Sequence, residues 1–428
     1  LPRTGPVFLA GNHPNALMDA LVIGVLVPRP VHILAKGTLF AHPLLRRVLR
    51  ALGVIPLHRA KESAGADVAR NAAAFREVGD ALRGGSAVLI FPEGISHDAP
   101  QLAPLRSGLA RMAREAHDRH GVRGQHIVPL GLIFEAKEVP RSRVLLQVGH
   151  PITFDALPPD TSAATLTALL EQRLRDVTLN FERDDDATRI TALAHTLAVL
   201  LAPVQPLGRT EHRLTDVVQL TRRIARVHAR HAVASGDTSD EAAARGTRTD
   251  AAARVQAFEA RFDAFRDRLA HERIALEDLG IDAGRRAGAR FVVRELTLAL
   301  VLGPVGLWGR LNHWLPLRLT RSMAVQGART RDEPAMRCVA LGLLLVLGFY
   351  GVQTGAVAVM AGPWWALAYA LTLVPSASSD LRYGDRMRRA HERARAWRRF
   401  RADPTLQPAL LAEAAWLRTE AGALEQAT

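Results

Sequence analysis

Cysteine is nearly missing from this chain: Cys338 is the only one in 428 residues. A single thiol excludes an intramolecular disulfide framework and a thiolate-bound zinc cluster, and it fits a reducing compartment. Lysine is scarce as well, with Lys36, Lys61 and Lys137 alone, so the net charge of +14 is carried by arginine. The Gly-x-Ser-x-Gly elbow, the P-loop and the Gly-x-Gly-x-x-Gly dinucleotide turn are all absent. Nucleophilic-serine, P-loop and dinucleotide chemistry therefore have no sequence support.

What is present is strongly segregated. Nine arginines fall within residues 382–401 against two acids, Asp385 and Glu392, a local excess of +7. Such a cluster suits phosphate, whether of nucleic acid or of anionic lipid. The neighbouring segment decides between them, because residues 338–379 are 42 consecutive uncharged positions. A span takes roughly 20 apolar residues, so the run predicts two helices, about 339–360 and 363–378, broken near Ala361-Gly362-Pro363. Trp364, Trp365 and Tyr369 suit the interface. A transmembrane hairpin over 336–380 is expected, followed by an arginine-rich helical tail over 381–428. The tail's partner is then membrane lipid, with no nucleic acid.

Residues 1 to about 180 alternate short apolar runs with amphipathic stretches. Strands are expected at Val7–Ala10, Val31–Ala35, Ala87–Phe91, Ile127–Ile133 and Val144–Val148, and helices at 66–83 and 105–119. This pattern predicts an α/β domain with a mixed, mostly parallel sheet flanked by helices. Sites in such sheets open at the carboxyl ends of strands, and two segments fall there.

The first, Asn12-His13-Pro14-Asn15-Ala16-Leu17-Met18-Asp19, joins a strand to a helix. An imidazole with a carboxylate on its other nitrogen makes a general base with an orienting partner. Six positions on one ideal helix place side chains about 120° apart. His13 and Asp19 therefore meet only if His13 lies in the preceding turn and reaches over the helix end. The alternative is a capping histidine and a solvated aspartate. The second segment, Phe91-Pro92-Glu93-Gly94-Ile95-Ser96-His97-Asp98, is a stiff turn. It either presents Glu93 and free backbone N–H groups near Gly94 to a substrate, or turns the glutamate onto its own backbone. Cations stand where a phosphate can bind: Lys36 after the second strand, Arg59 after Gly53-Val54-Ile55-Pro56-Leu57-His58, and Arg106 at a helix start.

Four blocks follow one another within about 120 residues: Asn12-His13 through Asp19, Gly53 through Arg59, Phe91-Pro92-Glu93-Gly94, and Val128-Pro129-Leu130-Gly131. Together they resemble the glycerolipid acyltransferase superfamily, PlsC-like, over about residues 5–157. Five residues instead of the usual four separate His13 from Asp19, and Ile95-Ser96-His97-Asp98 replaces the usual Thr-Arg-Ser. Both departures are similar to the fungal-type glycerol-3-phosphate and dihydroxyacetone-phosphate acyltransferases.

The resemblance implies an O-acyltransferase of phospholipid synthesis. It would move a fatty acyl group from acyl-CoA or acyl carrier protein to glycerol-3-phosphate or dihydroxyacetone phosphate. The alternatives are a lysophosphatidic acid or lysophospholipid acceptor, or a non-catalytic membrane scaffold with the same fold. It further implies His13 as base, Asp19 as its orienting partner, and Glu93 with the backbone at Gly94 holding the acceptor or the tetrahedral intermediate. The acceptor's phosphate would fall to Arg59, with Lys36, His97 or Arg106 replacing the missing third-block arginine. Asn12, Asn15, Pro92, Ser96 and Pro129 support the blocks. Base and thioester suffice, so no metal and no cofactor beyond the acyl donor is expected.

Residues 181–290 read as mainly helical, with a linker near 235–248. Ile190–Gly208 is uncharged but reads as a buried or interfacial helix instead of a span. Asp184-Asp185-Asp186 reads as a solvated connection. Val255, Phe258, Phe262, Phe265 and Leu269 recur at helical spacing and predict an amphipathic helix packed on a neighbour. The 291–335 region reads as an interfacial apolar segment, interrupted by Arg294 and Glu295, and a basic loop. Keeping the arginine-rich segments on one side predicts a protein of the bacterial cytoplasmic membrane whose catalytic domain faces the cytoplasm. The chain opens at Leu1, directly before a strand and without Met or targeting signal; a natural N-terminus trimmed away is the expectation.

Overall fold

The computed structural model describes residues 1–58, 66–137, 139, 142–201, 213–236, 242–326 and 333–426. Arg59, Lys61 and positions 237–241 of the expected linker lie outside the described residues. The chain forms two compact units, one of residues 1–187 with 327–337 and the other of residues 188–326 with 338–428.

The first unit is built on one sheet of β1 (Val7–Gly11), β2 (Val31–Lys36), β3 (Val54–Leu57), β4 (Ala87–Ile90), β5 (His126–Phe134), β6 (Val144–Val148) and β7 (Ile152–Thr153). The spatial order is β3-β2-β4-β1-β5-β6. The first five of these run parallel, while β6 and β7 pair antiparallel with β5. Helices α1 (Ala16–Leu26), α2 (Pro43–Ala51), α3 (Ala66–Arg83), α4 (Gly108–Asp118) and α5 (Ala163–Val177) accompany it.

Strand periodicity sorts the core. Phe8 and Ala10 of β1 point into a cluster with Val78 and Leu82 of α3, Leu109 and Met112 of α4, and Leu170 and Leu174 of α5. Val7 and Leu9 point the other way, into a cluster with Ala20 and Ile23 of α1. Both faces are thus covered, which is why β1 and β4 read as unbroken apolar runs without alternation. Each fully buried Leu, Ile or Phe here contributes about 2–3 kcal/mol.

Position in the sheet matters more for the site than packing does. β1 lies between β4 and β5, with Ala10 in register with both Ile90 and Pro129. The segments leaving the carboxyl ends of β1 and β4 are therefore neighbours, although 80 residues apart in sequence.

The second unit comprises α6 (Asp184–Leu201, entering from the first unit's last residues), α7 (Leu214–Gly236), α8 (Ala242–Glu272), α9 (Arg285–Gln326), α10 (Glu333–Ala361), α11 (Pro363–Ala402) and α12 (Leu406–Gln426). Phe258, Phe262, Phe265 and Leu269 of α8 are buried against Phe400 of α11 and Leu406, Leu410 and Leu417 of α12. The stripe expected from sequence is thus a core face. Ile190, Ala194, Leu197 and Ala198 are buried within α6, in line with a buried helix, and positions 202–208 of that stretch lie outside the described residues.

The C-terminal part carries the apolar helices expected of it. Two apolar helices are present and part at Gly362, whose φ of +94° suits glycine. Among the described residues, α11 packs along α9. The reason lies on α9, where Gly303, Gly306 and Gly309 face α11. A Cβ on Gly309 would come within 2.1 Å of the Ser376 carbonyl, and one on Gly306 within 3.0 Å of the Tyr383 ring. Close approach is reinforced by Trp308 Nε1 donating to Thr372 Oγ1 at 3.0 Å and by an Arg310–Asp380 pair at 3.1 Å.

Among the described residues, two helices are long and apolar enough to cross a membrane, Arg285–Ala324 and Leu341–Ala361. The 291–308 segment, read from sequence as interfacial, belongs to the first of these. Within it Glu295 is paired with Arg386 at 3.0 Å and with Arg294 at 2.9 Å. The second hairpin arm is diluted by Trp, Tyr, Ser and Pro and runs on, without a break, into the arginine-rich segment as one 40-residue helix.

Candidate active site

β1 ends at Gly11 and α1 begins at Ala16, so His13 sits in the turn before the helix, not on it. From there its Nδ1 reaches over the helix end to Asp19 Oδ2 at 2.9 Å. Five intervening residues are accommodated because the chain folds back at Ala16, where φ is +45°. Asp19 has no solvent exposure, which removes the solvated-aspartate alternative. Its Oδ2 also accepts the Asn15 N–H at 2.8 Å, while Oδ1 is buried without a partner among the described residues. Burial pushes the Asp19 carboxyl above the ordinary aspartate value, against the lowering pull of the His13 and Asn15 hydrogen bonds.

The imidazole stacks on Phe91, 4.0 Å between centroids and 9° from parallel. Because Nδ1 is taken by a carboxylate, Nε2 is left for a substrate. Among the described residues Nε2 carries no hydrogen bond. Asn12, one residue before, extends the β1–β5 ladder: its Nδ2 donates to Leu132 O at 3.1 Å and its Oδ1 accepts Leu132 N–H at 2.7 Å. Pro129 is buried in β5, and its carbonyl accepts the Gly149 N–H at 2.9 Å.

Glu93 follows Pro92 after β4 and is buried at 2% exposure. Its Oε1 accepts the His13 N–H at 2.8 Å, and its Oε2 accepts the Ala103 N–H at 2.8 Å and bonds His97 Nε2. The glutamate therefore bonds backbone, but the amides belong to the His13 turn and to the segment before α4 and not to its own turn. Gly94, with φ +73°, donates its own N–H to Phe91 O at 3.0 Å and so is not free for an oxyanion. The Ile95 and Ser96 N–H groups have no hydrogen-bond partner among the described residues. Ser96 Oγ accepts the Ala16 N–H at 3.0 Å.

Arg106 is exposed, with Nε 3.4 Å from the Glu93 carbonyl and its stem close over Gly94. Lys36 is exposed at the carboxyl end of β2. His97 has both ring nitrogens engaged, Nε2 with Glu93 and Nδ1 with the Ala99 N–H at 3.2 Å. Sequence reasoning missed Lys137, whose ammonium pairs with Asp98 and lies 3.5 Å from the Pro14 carbonyl. Its rarity was a usable signal, since it is one of three lysines. No group of three or more His, Cys, Asp or Glu able to hold a metal occurs among the described residues.

Residues 1–133 match the family model described as Acyltransferase. An acyltransferase-family domain thus occupies residues 1–133. Relatives of this acyltransferase unit include glycerol-3-phosphate O-acyltransferase 2 of Saccharomyces cerevisiae, 36% identical over 106 residues, which are 24% of this chain and 14% of the yeast protein. Glycerol-3-phosphate O-acyltransferase 1 of the same yeast is 37% identical over 78 residues, 18% of this chain and 10% of that one. An uncharacterized acyltransferase of Schizosaccharomyces pombe is 37% identical over 79 residues, 18% and 12% of the two chains. The matches thus span about an eighth of the length of these relatives. The crystal structure of the 1-acyl-sn-glycerophosphate (LPA) acyltransferase PlsC from Thermotoga maritima aligns with a TM-score of 0.32 at 21% identity, covering 41% of this chain and 66% of that one.

Proposed function

We propose that this protein is a membrane-associated acyltransferase that moves a fatty acyl group from a coenzyme A or carrier-protein thioester to the hydroxyl of glycerol-3-phosphate. The observation that carries the reading is the His13 Nδ1–Asp19 pair, buried on the carboxylate side, with Nε2 in no hydrogen bond among the described residues. His13 Nε2 takes the acceptor's hydroxyl proton as the oxygen attacks the thioester carbonyl. Asp19 holds the tautomer and stabilises the imidazolium that forms. The new C–O bond closes, the C–S bond breaks, and the imidazolium returns its proton to the departing thiolate. Developing oxyanion charge falls to the unpartnered N–H groups at Ile95 and Ser96, beside the His13 turn. Glu93 acts on the loop backbone and not on the substrate.

Arg106 at the carboxyl end of β4, Lys36 at that of β2, and Arg59 from its motif position supply the acceptor's phosphate site. Glycerol-3-phosphate is favoured as acceptor by the names of the yeast relatives and by the Ser-His-Asp block. The exposed apolar helices α9 and α10 supply the membrane attachment, with the catalytic unit on the arginine-rich, cytoplasmic side.

The test is acylation of labelled glycerol-3-phosphate by membranes containing the chain, with acyl-CoA supplied. Label appears in lysophosphatidic acid, and His13→Ala lowers turnover by about 10³-fold or more. His13-dependent acylation of lysophosphatidic acid alone moves the acceptor one step along. Inactivity with every acceptor and both thioester donors makes the unit a scaffold.

A further inference from the structure

The triplet Ser96-His97-Asp98 occupies the place where an arginine was expected, and each of its side chains is spent on the His13 turn. Ser96 Oγ accepts the Ala16 N–H at 3.0 Å. Asp98 pairs with Lys137, whose ammonium lies 3.5 Å from the Pro14 carbonyl and whose carbonyl lies 3.5 Å from Asn15 Nδ2. His97 gives its backbone N–H to the His13 carbonyl at 3.3 Å and its ring to Glu93.

The hydrogen-bond pattern fixes the state of that ring. The Ala99 N–H points at Nδ1 from 3.2 Å, so Nδ1 is an acceptor and the ring proton is on Nε2, donated to Glu93 Oε2. A neutral imidazole used in this way has no nitrogen left for phosphate. Glu93 in turn needs its donors, since a buried carboxylate short of one is expensive and turns to others. Its Oε1 is what holds the His13 N–H at 2.8 Å.

We infer that His97 is a positioning residue: acting through Glu93, it fixes the backbone at His13 and thereby the aim of the base, and it does not bind the acceptor's phosphate. This rests on His13 being the base. Misplacing a catalytic group by about 1 Å costs on the order of 10²-fold in rate.

The experiment uses the full chain, reconstituted in vesicles, as wild type, His97→Ala, His97→Gln and His13→Ala. Steady-state acylation of glycerol-3-phosphate is measured together with amide hydrogen exchange at His13 and Ala103, the two N–H groups on Glu93. In His97→Ala, kcat falls about 30- to 100-fold while the acceptor KM changes less than about threefold, and both amides exchange faster. His97→Gln, which still offers an N–H to Glu93, recovers most of kcat and the protection.

A tenfold or greater rise in acceptor KM with kcat retained makes His97 a phosphate ligand and overturns the inference. So does unchanged kcat with unchanged exchange. If His97→Ala fails to fold, the Gln variant decides by the same KM and kcat criteria. Activity that survives in His13→Ala removes the base reading alone, and faster exchange at His13 and Ala103 in His97→Ala then still identifies the brace.

Discussion

A carboxylate with no exposure and one oxygen lacking a donor is costly for a fold to retain. Asp19 is such a group, and burial raises its pKa, so its ionised form is the destabilising one. Asp19→Asn should therefore separate stability from rate. The amide removes the buried charge, so the midpoint of thermal unfolding stays level or rises. The amide also fails to hold His13 in the Nδ1-protonated tautomer, and turnover falls by roughly 10³- to 10⁴-fold, the scale seen when a triad aspartate is made an amide. A parallel loss of midpoint and activity would assign Asp19 to packing instead. At this scale the sequence was informative about which residues gather, because His13 and Glu93 both follow strand ends. It was silent on what Glu93 and His97 are committed to. The His13 N–H on Glu93 comes from a loop 80 residues away that only the sheet order β4-β1-β5 makes adjacent.

Elements carry their own electrostatic signature in the second unit. Asp278 lies in a short turn between α8 and α9, buried, 3.5 Å from Arg393 of α11. Burial pushes its carboxyl up to about 6 from an ordinary 3.8, against the attraction of Arg393 and with help from Glu277 and Glu392. A carboxyl raised in the fold contributes stability that is complete below the unfolded value, near pH 4, and is lost as pH rises through about 6. Asp278→Asn should then match wild type at pH 4 and exceed it at pH 7 by up to about 3 kcal/mol in detergent-solubilised unfolding. A variant less stable at pH 7 would make the Arg393 pair the stronger influence. Among elements, five of the seven strands and α8 were legible from apolar runs and helical spacing. The pairing of α11 with α9 was not, because an uncharged run measures how far a helix stays apolar and not which neighbour it meets. The Gly303, Gly306 and Gly309 face and the Glu295–Arg386 pair decide that, across about 70 to 90 residues of sequence.

For the whole molecule, the question is where the positive charge goes once its internal partners are subtracted. Of the nine arginines in 382–401, Arg386, Arg388, Arg393 and Arg399 pair with Glu295, Asp385, Asp278 and Glu272. Arg382, Arg389 and Arg398 are exposed and in no such pair among the described residues. Packing of Gly288 against Trp397 brings the start of α9, with exposed Arg285, Arg286 and Arg290, to the same end of the helix pair. Two basic segments about 100 residues apart thus form one surface beside apolar helices, a combination that suits anionic headgroups at roughly 1 kcal/mol per arginine. In vesicles, trypsin cleavage within 382–401 should slow about tenfold or more when anionic lipid replaces part of a zwitterionic bilayer. About 0.5 M salt should restore it, because the screening length then falls to a few ångströms. Arg382→Gln, Arg389→Gln and Arg398→Gln together should lower the difference in protection at the remaining arginines, leaving acylation by the N-terminal unit intact. Equal cleavage in both bilayers would mean that these arginines face water, and that the apolar helices alone hold the protein at the membrane.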